Sequence, residues 1–241
     1  MEENCQRCGK SAGLCVCEKI IECKTRTRVL ILQHPQEPDK TLGTAQLLHA
    51  ALPNSVLKAG LSWRNLSAAL GEEAQPKEWA VLYLGSVKLP SAQPGLVYVD
   101  RDGKPLADIT QKAIRLKGIV VLDGTWSQAK TLWWRNAWLL KLHRAVLNPE
   151  KPSRYGKLRK EPRAESVSTL ESTAQALATL ERDPSLIDRL EAPFADLLVK
   201  YKNLHPRGEL RSQHRGQQGG FRVRRRGNVN RRVDKRTRGG E

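Results

Sequence analysis

Short apolar runs, each stopped by a polar or glycine turn, recur along the first 150 residues. RVLILQH (28–34), WAVLYLGS (79–86), GLVYVD (95–100) and GIVVLD (118–123) read as buried strands, with SVLKAG (55–60) and RAVLN (144–148) as shorter ones. Helical spacing marks GTAQLLHAAL (43–52), WRNLSAAL (63–70), a tryptophan-rich segment from Thr125 to Lys141, and two closing helices over 168–182 and 184–203. Continuous apolar strands alternating with helices predict an α/β domain on a parallel sheet covered on both faces. Ligands of such domains bind at the carboxyl ends of strands, which here read His34-Pro35, Gly85-Ser86 and Asp123-Gly124. The expected organisation is a cysteine-bearing element at 1–24, a body at 25–204 and a polar tail at 205–241. There is no internal repeat.

Charge sharpens this picture. The chain carries a net +17 over 241 residues. Residues 205–241 hold twelve Lys/Arg against three Asp/Glu, a net of +9, which leaves +8 for the other 204 residues. The tail, rich in Arg and Gly and poor in apolar residues, is predicted to be disordered. A polyanion is the natural partner of such a field, because each neutralised phosphate releases counterions. No apolar run approaches the ~18 residues of a membrane span. The N-terminus does not read as a signal peptide, so a soluble cytoplasmic protein is expected.

CQRCGKSAGLCVC places Cys5, Cys8, Cys15 and Cys17 in two close pairs around a glycine-containing turn. Four thiolates so spaced can wrap a structural zinc at about 2.3 Å per sulfur. Disulfides are the rival and are disfavoured without export. Cys23 is left over as a buried thiol.

Asp123 ends a strand in the run DGTW. A strand-end Asp commonly caps the next helix, but Thr125 competes for that duty, so one of the two is spare for chemistry. On the following helix, Trp126, Ala129, Leu132, Trp133, Ala137 and Leu140 share one face at 100° per residue and are expected toward the core. Trp134 and Trp138 fall on another face with Lys130 and Lys141. That stripe suits stacking on unpaired bases or, alternatively, covering a sheet edge. His34 at a strand end is a hydrogen-bonded structural residue or a site residue. Ser168-x-x-Glu171 is a capping box opening a helix, and a helix start is also an anion seat. The loop KPSRYGKLRKEPRAES offers Lys151, Arg154, Lys157, Arg159, Lys160 and Arg163 either to solvent or to phosphates.

Taken together, LDGTW, the cysteine cluster, HPQE (34–37), GTAQLL (43–48) and STLES (168–172) resemble the DTW-domain family over roughly residues 5–182. Members of that family are tRNA-uridine aminocarboxypropyltransferases. The resemblance implies a SPOUT-like fold, an α/β sheet with a knotted C-terminal part. It also implies S-adenosylmethionine as cofactor, tRNA as partner, and transfer of the 3-amino-3-carboxypropyl group to N3 of a uridine. Asp123 is then the catalytic candidate, as base or as a hook for the sulfonium. Leu84, Gly85, Leu122, Gly124, Thr125, Trp126, Ser168, Thr169 and Glu171 are the expected cofactor-binding positions. His34, Pro35, Glu37 and Thr44 match motif positions without an assigned role; the family often has Asn where this chain has Gly43. Lys130, Trp134, Arg135, Trp138, Arg154, Arg159 and Arg163 are the expected RNA contacts, and Cys5, Cys8, Cys15 and Cys17 the zinc ligands. The rival readings are an RNA methyltransferase on the same fold and a non-catalytic zinc-dependent RNA-binding protein.

Overall fold

The computed structural model describes residues 4–38, 40–83, 85, 87, 95–107, 114–149, 151–158 and 167–206. All of these lie within the unit Met1–Glu209. The predicted tail beyond residue 206, and Leu84, Arg159 and Arg163, lie outside the described residues.

Six strands form one sheet: β1 (Arg28–Gln33), β2 (Ser55–Ala59), β3 (Trp79–Leu82), β4 (Gly95–Val99), β5 (Gly118–Asp123) and β6 (His143–Asn148). Their spatial order is β2-β1-β5-β3-β6-β4. β1, β2, β3, β5 and β6 pair in parallel, whereas β4 runs antiparallel to β6 at the edge. The sheet is therefore mixed rather than parallel throughout. The alternation of an apolar run carries no strand direction, so an edge strand with one neighbour is free to enter either way.

Both faces are covered. Val29, Ile31, Ala80, Ile119 and Val121 point into one hydrophobic cluster with α1 (Ala45–Ala51), α4 (Thr169–Glu181) and α5 (Ser185–Leu204). Leu30, Leu32, Val81 and Val120 point the other way, against α2 (Leu66–Leu70) and the segment around Trp138 and Leu139. Cys8, Leu14, Val16, Ile20 and Cys23 share the first cluster with α5, so the N-terminal element is packed onto the sheet's helical cover.

The tryptophan segment departs from the expected single helix. α3 runs only from Trp126 to Arg135, and a 3-10 turn follows over Ala137–Lys141. The cause is Asn136, a fully buried side chain that saturates its own bonding. Its amide donates to the carbonyls of Leu132 and Leu61, and its Oδ1 accepts from the Trp63 N–H and the Trp138 indole. Beyond this break the 100° phase no longer applies. Trp138 and Leu139 turn inward while Leu140 stands exposed. Trp134 and Trp138 therefore do not share a face, and Trp138 is a core residue rather than a surface for bases.

Glu181 closes α4 and joins it to the entrance of β1. A carboxylate at a helix C-terminus is disfavoured by the helix dipole, yet this one accepts from the backbone and side chains of both Arg26 and Thr27. Burial works to raise its pKa; the four hydrogen bonds outweigh it and leave the carboxyl below its ordinary value. A depressed folded-state pKa contributes stability that is present above the unfolded value and lost as pH falls through the folded one. Glu181→Gln should therefore cost about 1–3 kcal/mol at pH 7. In urea titrations the gap between wild type and variant should close as the pH falls below about 4.

Candidate active site and metal centre

Asp123 is the last residue of β5 and is buried, 5% exposed. It is not the cap of the following helix. Thr125 takes that role: its Oγ1 accepts the Gln128 N–H, and the Gln128 side chain accepts the Thr125 N–H at 2.7 Å. The Asp123 carboxylate is instead held by donors distant in sequence, among them Gln33 and Thr169. Gln33 Nε2 donates to Oδ2 at 2.9 Å, and Thr169 Oγ1 donates to Oδ1 at 2.7 Å. Gln33 is Asp123's register partner across β1 and β5. Thr169 opens α4.

The residues around this carboxylate come from the predicted motifs. The His34 N–H donates to the Asp123 carbonyl at 3.0 Å. His34 Nδ1 accepts the Gln36 N–H, and burial lowers the ring's pKa. Gln128 also donates to Gln36 Oε1, tying α3 to the HPQE loop. Leu122 and Trp126 are half-buried beside the acid. Gly124 is required by close approach: a Cβ there would lie 2.8 Å from Gln128 Cβ. Glu37 and Thr44 are buried in the loop between β1 and α1, and Pro35 is exposed.

Ser168 and Glu171 do different work from Thr169. Ser168 Oγ accepts the Glu171 N–H, and Glu171 Oε2 accepts the Ser168 N–H at 2.8 Å, a reciprocal capping box. Glu171 also accepts from Ser153 Oγ and the Arg154 N–H, fastening the basic loop to α4. The helix start expected as an anion seat thus already has its own carboxylate. Arg154 pairs through Nε with the buried Glu191. A cavity of about 640 Å3 opens beside this network, lined by Lys151, Arg154, Glu171, Gln175, Asp188 and Glu191 among others. Asp123 is not among its lining residues.

Gly85 sits past the end of β3 at φ +55°, and a Cβ would meet the Arg144 guanidinium at 2.7 Å. That guanidinium lies over the stacked rings of Tyr83 and Trp133, whose centroids are 4.6 Å apart. On the outer face of α3, Lys130, Trp134 and Arg135 are exposed, the indole by 72%.

The four cysteines converge. The sulfurs of Cys5, Cys8, Cys15 and Cys17 all lie within 4.8 Å of one another. Cys5 and Cys17 are 3.4 Å apart and Cys8 and Cys15 3.7 Å, far beyond the ~2.05 Å of a disulfide. A tetrahedral zinc with ~2.3 Å bonds separates its sulfurs by about 3.8 Å, so the set fits that ion. Backbone N–H groups of Cys8 and Arg7 hold the Cys5 thiol down at about 6, while burial pushes Cys17 up. Four thiolates leave no open position on a tetrahedral ion, so a zinc held here would be structural.

Gln33, Gln128 and Lys10 complete the neighbourhood. Gln33 is the polar residue that ends the buried run of β1, and Thr125-x-x-Gln128 is a capping signature; both signals are readable in the chain. Lys10 is buried next to the cysteine turn. Burial lowers its pKa to about 8, against the charges of Cys8 and Asp123, which favour the ammonium.

These features define an α/β protein with a mixed, mostly parallel sheet, a buried carboxylate at the carboxyl end of β5 and a four-thiol element packed on its helical cover. The DTW domain matches residues 2–202, and the chain belongs to that family. It is 31% identical over 202 residues to tRNA-uridine aminocarboxypropyltransferase 2 of Drosophila melanogaster, covering 82% of this chain and 74% of the relative. The Macaca fascicularis protein of the same name is 29% identical over 196 residues, 80% of this chain and 61% of the relative. The Arabidopsis thaliana tRNA-uridine aminocarboxypropyltransferase A is 26% identical over 230 residues, 86% and 85%. The chain thus spans about three fifths of the macaque relative's length. No solved structure matches.

Purified protein should carry one zinc per chain. Cys8→Ser should abolish that stoichiometry and lower the melting temperature by about 10 °C, measured by elemental analysis and calorimetry.

Proposed function

We propose that this chain transfers the 3-amino-3-carboxypropyl group of S-adenosylmethionine to N3 of a tRNA uridine. The observation that carries this reading is Asp123: a buried carboxylate at a sheet's carboxyl end, gripped by Gln33 and Thr169, and released from helix capping by Thr125. S-adenosylmethionine would supply the alkyl group and depart as methylthioadenosine. The chain's own part is to hold the uridine and receive its N3 proton. Asp123 is the acceptor or the cofactor hook, with Gly124, Thr125, Trp126 and Thr169 around it. Leu122, with Gly85 past the end of β3, forms the adjoining rim, and Leu84 is assigned to the cofactor from the sequence alone. The knotted threading belongs to the same proposal and rests on the family resemblance.

The tRNA side is the outer face of α3. Lys130, Trp134 and Arg135 combine exposed charge with an exposed indole, which suits phosphates and an unpaired base. Arg154, Arg159 and Arg163 of the basic loop and the Arg-rich tail are proposed as further RNA contacts on the strength of their charge. The cytoplasm is the proposed location, since a four-thiolate zinc site persists where thiols stay reduced.

Nucleoside mass spectrometry on tRNA incubated with the protein and S-adenosylmethionine tests the reaction. Cofactor labelled at the carboxyl carbon should label the RNA, whereas label arriving only from the methyl carbon would make the enzyme a methyltransferase. Asp123→Asn should cut transfer by at least ~10²-fold with the melting temperature unchanged. Trp134→Ala should weaken tRNA binding about 10-fold, as expected for one lost stacked base, without changing cofactor affinity.

A further inference from the structure

The four-cysteine element reaches the rim through one side chain. The Cys5–Lys10 turn is closed by the Gly9 N–H donating to the Cys5 carbonyl at 2.7 Å and the Cys5 N–H to the Lys10 carbonyl at 2.8 Å. From the end of this turn the Lys10 ammonium is driven inward. It donates to the Gly43 carbonyl at 2.7 Å and to the Lys40 carbonyl at 3.4 Å, and the residue is 5% exposed. Burying an ammonium is costly unless its donors are met, and here both acceptors belong to one loop. That loop runs from His34 to Thr44 as consecutive turns: Glu37 N–H to His34, Lys40 N–H to Glu37, and Gly43 N–H to Lys40. Its first residue is bonded to the backbone of Asp123. Its far end is gripped a second time by Tyr155, whose hydroxyl donates to the Leu42 carbonyl at 2.7 Å. The cysteine turn also packs on α1, with Gln46 Nε2 donating to the Arg7 carbonyl.

We propose that Lys10 is a positioning residue that transmits the order of the four-cysteine metal element to the His34–Thr44 loop, and through it to the flank of Asp123. The coupling itself needs only the geometry above; its consequence for turnover rests on the reading of Asp123 as the reacting carboxylate. Metal binding fixes the turn, the turn aims the ammonium, and the ammonium holds the carbonyls that keep the loop in one arrangement. Loss of the metal is then felt at the rim as a loosened loop while the sheet stays folded.

The test uses the full-length, zinc-loaded chain, with Lys10→Met and Lys10→Gln. Amide hydrogen exchange gives a readout independent of activity. In wild type, stripping zinc with a chelator should speed exchange at Glu37, Lys40 and Gly43 by ~10-fold or more, with β1 and β5 still protected. Lys10→Met should exchange at that faster rate with zinc bound, and stripping should add less than ~2-fold. Lys10→Gln, which can still donate to one carbonyl, should fall between and serves if the Met variant does not fold. The proposal is overturned if zinc-bound Lys10→Met keeps the loop as protected as wild type. It is equally overturned if stripping loosens the loop as much in the variant as in wild type, or melts the sheet of wild type along with it. In steady-state assays Lys10→Met should lower kcat ~10-fold and leave KM for tRNA within ~2-fold, because a buried strut orders the site without touching RNA. An unchanged kcat removes the role in turnover. Should wild type transfer nothing while the exchange pattern holds, the proposed reaction fails and the coupling stands.

Discussion

One buried carboxylate sets the terms for this structure. Asp123 sits where β5 ends, out of bulk water, and an acid in that position must be met by donors. They arrive from opposite ends of the chain: Gln33, from the adjoining strand, and Thr169, from the first turn of α4. The β1–β5 register has to put Gln33 opposite Asp123. α4 has to start at the carboxyl edge rather than a turn later, and its reciprocal Ser168–Glu171 box fixes that start. A slip of one residue in the strand pairing would send the Gln33 side chain to the other face.

The neighbours of this acid form rings of constraint. Gln128 links the α3 cap to Gln36, and His34 links the loop backbone to Asp123. Glu171 reaches outward to Ser153 and Arg154, and Arg154 to Glu191, so that the basic loop, α4 and α5 are fastened together. Lys10 and Tyr155 grip the same short stretch of loop from two sides. Few of these bonds would be worth much in water, where each net contribution is about 1 kcal/mol. Their value lies in fixing orientation, which is what positioned chemistry requires.

Polar precision at the rim contrasts with the outer surface. α3 exposes Lys130, Trp134 and Arg135 side by side, and the aromatic pair Tyr83–Trp133 beneath is backed by the Arg144 guanidinium. A basic surface with an exposed ring tolerates many bases and follows phosphates. A held, buried carboxylate is selective. The proposed reaction would use both, and they are built on consecutive elements, β5 and α3.

What the chain alone determined was periodicity and chemistry. Six apolar runs read as strands, the four-cysteine spacing, the spare acid in DGTW and the capping box of α4 were all legible, because each rests on local spacing or on the donor chemistry of single residues. Tertiary structure decided the rest. The edge strand's direction is invisible to a period-two pattern. The end of α3 depends on Asn136 finding partners at Leu61 and Trp63, far away in the sequence, so Trp138 went inward against the helical phase. The pairing of Thr169 with Asp123, and of Lys10 with Gly43, likewise joins groups distant in sequence. Only the folding of the chain brings such groups within reach, and no local pattern records which distant partner a polar side chain will find.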